Sequence, residues 1–463
     1  MEKEEIKTQI AVLGGGPAGY IAAIRARQLG AKVILVEREK LGGVCMNAGC
    51  IPTKALLESA KMTQHIKKAR EFGIEASLDT IDWGTAVERK NRIVKNLNIG
   101  LESLLQKNGI SVLKGKGIVT APHEIQVETK EGNIQVTCEK MILASGSRPF
   151  IPEIPGIHLK GVITSTEALN LSQIPESMAI LGAGVIGVEF ATCFAALGTK
   201  VTLLEKQKEF LPETGEEAPK EILKHLKRLG IGFRFQSQII KIEKGDQGLS
   251  ITYDTGEKKE QLSCEVILVA AGRRLNLEDF TQLSLKTKNH AVCVDEFMQT
   301  SEKDVYAAGD ITGGPLLAHF AYAQGRVAAE NALGKKSTLD PMTVSSCIYT
   351  IPEFARVGLT EEEALAKGVP IKKGYFSFRQ NGRALTLGKR EGYVKILLNE
   401  KEEVIGGEIL GMDASEMITE ISMAVAAKIK AEFLADMIYP HPTLNEAVWE
   451  AYRDAIGSSI HKG

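Results

Sequence analysis

The sequence predicts an α/β protein with two parallel sheets and a separate C-terminal unit. One strand–helix–strand pattern occurs twice, as QIAVLGGGPAGYIAAIRARQLGAKVILVE over residues 9–37 and as MAILGAGVIGVEFATCFAALGTKVTLLE over residues 178–205. Each copy is a β-rich apolar run, a helical segment and a second apolar run that ends in glutamate. After residue 342, strands alternate with helices without a third copy, which predicts an α+β unit.

The first copy has the glycine spacing of a dinucleotide-binding βαβ unit. Gly14, Gly16 and Gly19 follow the first strand. Glycines at this spacing permit a tight turn, let the backbone approach a diphosphate and let the helix pack on the strand. The diphosphate would lie at the helix N-terminus, where free N–H groups and the helix dipole favour negative charge. Glu37, at the end of the second strand, can accept hydrogen bonds from a ribose diol.

The second copy repeats the arrangement with Gly182, Gly184 and Gly187, and Glu205 occupies the position of Glu37. Two complete copies predict either two bound dinucleotides or one dinucleotide and one decayed site. A carboxylate at position 205 would repel a 2′-phosphate, which favours NAD over NADP. The adjacent Lys206 weakens that preference.

The segments between these copies predict how the chain is divided. Helical patterns cover residues 54–72 and 85–107, and short strands over 110–143 end in MILASGSRP, where Ser145 and Gly146 form a small-residue turn that could crowd a cofactor. VILVAAGRR, which contains Gly272, echoes that segment, as expected if the second unit is inserted into the first. The predicted domains are residues 1–149, 150–274, 275–342 and 343–463, with the third completing the first.

The C-terminal half contains one further candidate ligand-binding residue. Asp310 ends a strand in VYAAGDIT and is well placed to hold a polyol. It could equally be a turn residue before the helix predicted over 318–333. In the last unit, strands are predicted over 355–358, 393–398 and 403–410, with helices over about 413–429 and 443–456.

Composition excludes several classes of function. The formal net charge is −1, from 57 basic and 58 acidic residues, which argues against capture of nucleic acid or an anionic membrane. No apolar run approaches the length of a membrane span, and the N-terminus MEKEEIKTQI resembles neither a secretory signal nor a transit peptide. Seven scattered cysteines are not a disulfide scaffold. We therefore expect a cytoplasmic protein with mostly reduced thiols.

Two cysteines stand apart from the others because they are close together. Cys45 and Cys50 lie in GGVCMNAGCIPTK, directly after the first βαβ unit. A zinc site would need further ligands, and the nearest histidine is His65, so we predict no metal site. A redox pair fits better, since a helix is predicted to begin at about 51–52 and a helix N-terminus lowers the pKa of a thiol. Gly49 is expected to loosen the turn so that the sulfurs can meet.

These motifs closely resemble the FAD-dependent pyridine nucleotide–disulfide oxidoreductases. The likeness includes both glycine fingerprints, the cysteine segment, ASGSRP, AAGRRLN, VYAAGD, GPLLAHFAYAQG, YTIPEFARVGLTE and HPTLNE, in the family's order. It implies an FAD domain, an inserted NAD domain and a C-terminal dimerisation domain in a homodimer. Within the family, the motifs are most similar to those of enzymes that oxidise dihydrolipoyl groups with NAD⁺.

The resemblance also implies roles for individual residues. Cys50 would face the flavin and Cys45 would exchange with the substrate, so that electrons pass from the substrate dithiol through the cysteines and FAD to NAD⁺. FAD would also contact Lys54, Gly115, Asp310 and the helix start at Ala318–His319. Glu189 would pair with Lys54 near the nicotinamide. From the residues alone, Lys54 could be a solvated helix lysine and Glu189 an ordinary first-turn glutamate.

The segment HPTLNE has two interpretations. Thr443 and Glu446 have the spacing of a capping box, with Thr443 as N-cap. By resemblance, His441 is instead a general base that Glu446 orients, and it reaches the cysteine pair of the partner subunit.

The implied partners are the lipoyl domains and E2-type core of 2-oxoacid dehydrogenase complexes, or the lipoyl carrier protein of glycine cleavage. One alternative is a reductase of glutathione disulfide, mercuric ion or coenzyme A disulfide, and another is a non-catalytic flavoprotein subunit. The lack of a vicinal cysteine pair in GSSIHKG argues against a mercuric reductase, and the two active-site cysteines argue against a coenzyme A disulfide reductase. Glu205 argues against a glutathione reductase, since those enzymes generally favour NADPH.

Overall fold

The computed structural model describes residues 4–245 and 248–462 of the 463-residue chain. The α-helices among these residues are α1 (Pro17–Gln28), α2 (Gly43–Ala48), α3 (Cys50–Lys67), α4 (Trp83–Lys107), α5 (Ser165–Ala168), α6 (Val185–Ala196), α7 (Glu217–Arg228), α8 (Ala318–Ala332), α9 (Glu361–Ala366), α10 (Gly382–Thr386), α11 (Ala414–Ala426), α12 (Ala431–Ala435) and α13 (Glu446–Ala455).

The strands of the first two units are β1 (Glu4–Leu13), β2 (Val33–Glu37), β3 (Ser111–Lys114), β4 (Lys116–Ala121), β5 (Glu124–Glu128), β6 (Asn133–Leu143), β7 (Ser147–Pro149), β8 (Val162–Thr164), β9 (Ser177–Leu181), β10 (Lys200–Leu204), β11 (Gly232–Arg234), β12 (Gln238–Gly245), β13 (Gly248–Asp254), β14 (Lys259–Cys264), β15 (Val266–Val269) and β16 (Arg273–Leu275). They are followed by β17 (Thr287–Lys288), β18 (Ala291–Val292), β19 (Val305–Ala307), β20 (Ser346–Ile348), β21 (Glu353–Gly358), β22 (Lys372–Ser377), β23 (Tyr393–Leu398) and β24 (Val404–Gly411).

The first unit is built on a parallel sheet in the order β3-β2-β1-β6-β19. The N-terminal half of β6 also pairs with β5 in an antiparallel meander that continues to β4. The central strands are apolar almost throughout because helices cover them, and Ile10, Val12 and Leu35 are fully buried. Since β19 returns to this sheet after the second unit, the second unit is an insertion.

The second unit repeats the architecture of the first. Its parallel sheet has the order β11-β10-β9-β15-β8, and a separate antiparallel sheet has the order β12-β13-β14. The two connections between the units, β7 and β16, pair with each other as an antiparallel ribbon. The segments ASGSRP and AAGRRLN, which look alike in the sequence, thus run side by side where the chain leaves and re-enters the first unit.

The C-terminal unit is an antiparallel sheet in the order β20-β21-β24-β23-β22. Helix α11 packs on β21 and β24, and α13 packs on β22 and β23. The predicted fold class, two Rossmann-like units with one inserted in the other and a C-terminal α+β unit, is confirmed. The domain boundaries drawn from the sequence remain predictions.

Some predicted elements of the C-terminal unit need correction. Strands β20 and β22 were not predicted. The helix predicted from residue 443 begins at Glu446, and Asn445 rather than Thr443 is its N-cap residue. The Thr443 hydroxyl donates to the carbonyl of Pro440, at 2.9 Å, so it does not cap the helix. The segment predicted as one helix over 413–429 is α11, which ends at Ala426.

Helix packing brings the predicted site residues together. Helix α3 packs against α4 and against α6 of the second unit, and α1 packs against α8. A Cβ atom on Gly325 would lie 2.2 Å from the carbonyl oxygen of Ala18, so α1 and α8 approach backbone to backbone. Among the described residues, no helix is long and apolar enough to cross a membrane.

The contact between α13 and β22 depends on a glycine. A Cβ atom on Gly374 would lie 1.9 Å from the carbonyl oxygen of Ala451, so Gly374→Ala should push α13 away from the sheet. We expect the free energy of unfolding, measured by urea denaturation, to fall by about 2 kcal/mol. Gly382→Ala is the control, because a Cβ atom there meets nothing within 4 Å. Equal stability of the two variants would contradict this packing.

Candidate active site

The two close cysteines lie on consecutive helices. Cys45 lies within α2 and Cys50 is the first residue of α3, and Gly49 between them has the non-helical dihedrals φ −145° and ψ −113°. The break at Gly49 lets the two side chains turn toward each other, and both residues are free thiols joined by a hydrogen bond. The helix begins one to two residues before the predicted start, and the short helix α2 was not predicted.

The environment of the pair makes its two sulfurs chemically unequal. The hydrogen bond from the Cys45 thiol and the positive charge of Lys54 lower the pKa of Cys50 to about 7. Burial of the sulfur and the negative charge of Glu189 oppose this shift, because each of them raises the pKa. The same hydrogen bond and burial raise the pKa of Cys45. Cys50 is therefore the sulfur that ionises near neutral pH, while Cys45 keeps its proton. A thiolate at Cys50 also benefits from its position at the N-terminus of α3.

Lys54 lies one turn after Cys50 and joins the first unit to the second. Its Nζ lies 2.7 Å from Oε2 of Glu189 in α6, and the Glu189 side chain is 7 % exposed. Thus the pair that the resemblance implies is present as an ion pair. Tyr349, after β20, completes the cluster, since its backbone N–H donates to Oε1 of Glu189 at 3.1 Å and its ring lies beneath Lys54.

The first glycine fingerprint divides into packing and open positions. A Cβ atom on Gly14 would lie 2.3 Å from the carbonyl oxygen of Ala144, and one on Gly19 would lie 1.7 Å from that of Gly14. On Gly16, by contrast, the nearest atom would be 3.8 Å away. The N-terminus of α1 at Gly16 has no side-chain cap, so its N–H groups are available to a diphosphate.

The second fingerprint has the same division. A Cβ atom added to Gly182 would lie 2.4 Å from the nearest backbone oxygen, and one added to Gly187 would lie 2.1 Å from the nearest. A Cβ atom added to Gly184 would meet nothing within 4 Å. The N-terminus of α6 at Gly184 also has no side-chain cap. The helix thus faces open space with free N–H groups, which fits a second dinucleotide.

The two strand-end glutamates have equivalent contacts. Glu37 accepts hydrogen bonds from the backbone N–H groups of Gly15, at 2.6 Å, and Glu39, at 2.7 Å. Glu205 accepts from Ala183, at 2.7 Å, and Gln207, at 2.8 Å. Both carboxylates are therefore fixed beside their glycine loops. Each oxygen can accept a further hydrogen bond from a ribose hydroxyl.

The predicted flavin-site residues of the first unit lie around the same loops. Gly115 donates its N–H to the carbonyl of Glu37, at 2.9 Å. Gly146 has φ +69° and open space around its Cα, whereas the Ser145 hydroxyl is bonded to the carbonyl of Asn276. Ala318 is the first residue of α8, which also lacks a side-chain cap.

Asp310 belongs to a polar chain that the sequence did not predict. It accepts a hydrogen bond from the Ser147 hydroxyl, and the Nε of Arg273 donates to the same hydroxyl at 2.7 Å. Because Ser147 is in β7 and Arg273 in β16, the ribbon between the units fixes this carboxylate. One oxygen of Asp310 remains able to accept from a polyol. Gly272, next to Arg273, has φ +117° and open space around it.

His441 and Glu446 form a second polar group, in the C-terminal unit. Nδ1 of His441 lies 2.8 Å from Oε1 of Glu446, whose Oε2 accepts the N–H of Thr443 at 2.8 Å. Glu446 thus makes half of the predicted capping box and also holds the imidazole. The His441 side chain is 77 % exposed, which leaves Nε2 free to act on another molecule.

Comparisons with known proteins agree with this geometry. The family description "Pyridine nucleotide-disulphide oxidoreductase" matches residues 8–325, and its dimerisation domain matches residues 344–452. The chain belongs to this family. Dihydrolipoyl dehydrogenase of Geobacillus stearothermophilus is 37% identical over 461 residues, and one from Bacillus subtilis is 38% identical over 469 residues, with 98% of each chain covered.

Two solved structures are similar over nearly the whole chain. LpdA of Mycobacterium tuberculosis has a TM-score of 0.89 and 26% identity, covering 96% of this chain and 99% of that one. The HOCl-induced flavoprotein disulfide reductase RclA of Escherichia coli, solved as a Cu(II) complex, has a TM-score of 0.85 and 29% identity, covering 98% and 99%. Members of the family typically bind FAD and NAD(P). The uncapped helices and open glycines described above fit two such ligands.

Sequence reasoning missed Arg273, Ser147 and Tyr349 as members of the site. Each lies in a motif that supported the family resemblance, but no residue type or spacing indicated its contacts. Two further tyrosines near the cysteine pair, Tyr20 in α1 and Tyr322 in α8, have ring centroids 5.8 Å apart. They are brought together only by the packing of α1 against α8. Within the described residues, no cluster of three or more His, Cys, Asp or Glu could hold a metal ion.

The open position at Gly184 can be separated experimentally from the packing position at Gly187. We expect Gly184→Val to leave thermal stability unchanged without ligand, because the added side chain meets no protein atom within 4 Å of its Cβ. It should raise the KM for the pyridine nucleotide by about tenfold or more, since it occupies the diphosphate position. Gly187→Ala is the contrasting control and should reduce stability itself. An unchanged KM in Gly184→Val would show that no nucleotide lies there.

Proposed function

We propose that the protein is a dihydrolipoyl dehydrogenase, which oxidises protein-bound dihydrolipoyl groups and reduces NAD⁺ to NADH. The observation that supports the proposal is the arrangement of Cys50, Lys54 and Glu189, in which an ionisable sulfur lies near a partly buried ion pair that joins the first unit to the second. The 37% and 38% identity to dihydrolipoyl dehydrogenases over nearly the full chain supports the same substrate class.

The proposed FAD site is formed by the first unit. Gly14, Gly16 and Gly19 shape the loop, Glu37 and Gly115 lie beside it, and Asp310 and Ala318 come from the later part of the chain. Bound FAD would supply a two-electron relay between the cysteine pair and a nicotinamide. Lys54 contributes a positive charge near Cys50, and this charge stabilises the thiolate form of Cys50.

The proposed NAD site is formed by the second unit, with Gly182, Gly184, Gly187 and Gly272 around the nucleotide and Glu189 at its reactive end. Glu205 favours NAD over NADP, because its carboxylate is held beside the glycine loop by two backbone N–H groups. A 2′-phosphate there would face a fixed negative charge, while a 2′-hydroxyl could donate to it.

In their oxidised, disulfide-bonded form, Cys45 and Cys50 would oxidise the substrate by disulfide exchange. A substrate thiol gives its proton to His441 and its sulfur attacks Sγ of Cys45, so the Cys45–Cys50 bond breaks and Cys50 leaves as a thiolate beside Lys54. The second substrate thiol loses its proton to solvent and attacks the sulfur bound to Cys45. Cys45 leaves, taking the proton from His441. The substrate has then lost two electrons, and the cysteine pair has gained them.

A homodimer would bring His441 to the cysteine pair of the other subunit. The chain carries the family's dimerisation domain. Near His441, exposed apolar side chains indicate a surface that a partner covers: Ile438 is 97% exposed and Phe433 64%. Glu446 would orient the imidazole and stabilise it when it is protonated.

The proposed partners are lipoyl domains of 2-oxoacid dehydrogenase complexes, where the protein would be the E3 component, or the lipoyl carrier protein of glycine cleavage. A cytoplasmic location is part of the same proposal. The seven cysteines are scattered without the pattern of a disulfide scaffold, which agrees with a reducing compartment.

A second candidate is a disulfide reductase that runs in the opposite direction. The likeness to RclA, at a TM-score of 0.85 and 29% identity, favours it. The identity to dihydrolipoyl dehydrogenases is higher, and we therefore place this candidate second.

Activity assays with cysteine variants test the proposal. The purified flavoprotein should reduce NAD⁺ with dihydrolipoamide, and Cys45→Ser or Cys50→Ser should abolish this activity because disulfide exchange needs both sulfurs. After reduction, Cys45→Ser should retain the long-wavelength absorbance band of a thiolate beside oxidised flavin, and Cys50→Ser should lack it. Cys293→Ser is the control and should behave as wild type. Activity with another disulfide and NADPH, but none with dihydrolipoamide, would favour the second candidate.

Mixed dimers test whether His441 acts across the interface. A dimer with Cys45→Ser in one subunit and His441→Gln in the other has one intact site if the site is shared between subunits, and none if each subunit is complete by itself. We expect about half of the wild-type activity, because each closed two-fold dimer contains two equivalent sites. The measurement uses dimers purified with two different affinity tags. Inactive mixed dimers would contradict the shared site.

A further inference from the structure

The segment of residues 349–353, which enters β21, runs along α3 and contacts it at two points. Lys54 Nζ lies 4.3 Å from the centroid of the Tyr349 ring, and Lys61 Nζ lies 2.9 Å from Oε1 of Glu353. Lys54 and Lys61 are seven residues apart, so they lie on the same face of the helix, separated by about 10 Å along its axis.

Both ends of this segment are held by buried carboxylates. Glu189 accepts from Lys54 through Oε2, at 2.7 Å, and from the N–H of Tyr349 through Oε1, at 3.1 Å. Glu353, which is 7% exposed, accepts from Ser415 Oγ through Oε2, at 2.8 Å. The segment is thus fixed to the C-terminal unit and to α6 at the same time.

Tyr349 therefore limits where the Lys54 ammonium can be. The lysine side chain is 30% exposed and has a flexible stem, so Glu189 alone would leave it several rotamers toward solvent. The Tyr349 ring occupies one side of the ammonium, and a cation over an aromatic face is attracted to it. The ring and the carboxylate together hold the charge near Cys50.

We propose that Tyr349 is a positioning residue that holds Lys54 against Glu189 and toward Cys50. The inference rests on the proposed function, because the charge matters only if Cys50 is a redox thiolate. It assigns to the C-terminal unit a role in the electrostatics of the cysteine pair, in addition to dimerisation. Tyr349 itself takes no part in the exchange of sulfur or protons.

Several groups besides Lys54 face Cys50 and would contribute to its titration. They come from different elements: Cys45 from α2, Glu189 from α6, Tyr322 from α8 and Arg273 from β16. Of these, Glu189 also contacts Tyr349 directly, through the backbone N–H, which every substitution at position 349 other than proline retains. A side-chain change at Tyr349 therefore acts on Cys50 through Lys54.

The test is a pH titration of the thiolate–flavin absorbance band in holoenzyme whose cysteine pair is reduced and whose flavin is oxidised. Lys54 lowers the pKa of Cys50, so the band is present above that pKa and is lost below it. Lys54→Gln should shift the midpoint to higher pH. Because it removes the charge completely, its shift should be larger than that of any variant at position 349. Tyr349→Leu should shift the midpoint in the same direction by about 0.5 pH unit, which is about a threefold change in the ratio of thiolate to thiol at a fixed pH. The KM for NAD⁺ should rise in parallel.

Two control variants distinguish the effect of losing the Tyr349 ring from the effect of a general loss of stability. Tyr349→Phe keeps the ring and removes only the hydroxyl group, so it should have the wild-type midpoint. Tyr375→Leu makes the same change elsewhere in the C-terminal unit, at a ring that stacks on Tyr393 with centroids 5.2 Å apart, and should leave the midpoint unshifted. If Tyr349→Leu does not retain flavin, Tyr349→Met carries the same expectation with a longer side chain.

The outcomes distinguish this inference from the proposed function. A wild-type midpoint in Tyr349→Leu, with a shifted midpoint in Lys54→Gln, would overturn the role of Tyr349 alone. An equal shift in Tyr349→Phe and Tyr349→Leu would also overturn it, because the hydroxyl group rather than the ring would be responsible. Absence of the band from wild-type holoenzyme at every pH would overturn the proposed redox pair and this inference with it.

Discussion

The ion pair between Lys54 and Glu189 is the contact on which the site depends. It joins α3 of the first unit to α6 of the second through Oε2 of Glu189. The other oxygen of that carboxylate, Oε1, accepts a hydrogen bond from the backbone N–H of Tyr349. An uncompensated charge on the buried Glu189 would be costly, so the pair constrains the relative position of the two helices. The same lysine lies beside Cys50, and one contact therefore serves both the packing of the units and the ionisation of a sulfur.

The repeated βαβ unit explains how one chain can hold two nucleotides with one geometry. In both copies the first and third glycines are needed by the protein itself, since a Cβ atom would strike backbone oxygen. Only the second glycine, Gly16 or Gly184, leaves room for a Cβ atom. That difference separates the requirements of folding from those of ligand binding, although the three glycines look alike in the sequence. The ribbon of β7 and β16 then fixes the two copies relative to each other.

The cysteine pair and the imidazole are held by different parts of the chain. Cys50 interacts with Cys45 and Lys54. His441 instead contacts Glu446, the first residue of α13. A packed sheet and helix support the imidazole, and its outer nitrogen points away from Glu446. This division suits a site completed by a second subunit, because each half is rigid before the halves meet.

The sequence by itself determined the α/β class, the two nucleotide units, the inserted order and the cysteine pair, because periodicity, glycine spacing and Cys45–Cys50 are local signals. Tertiary structure decided the local contacts of HPTLNE: Glu446 contacts both His441 and Thr443, and the helix starts too late for Thr443 to be its N-cap. It also decided the place of Tyr349, which is 160 residues from Glu189 and 295 from Lys54 in the chain. Contacts over such separations depend on how packed elements meet, and no local pattern encodes that.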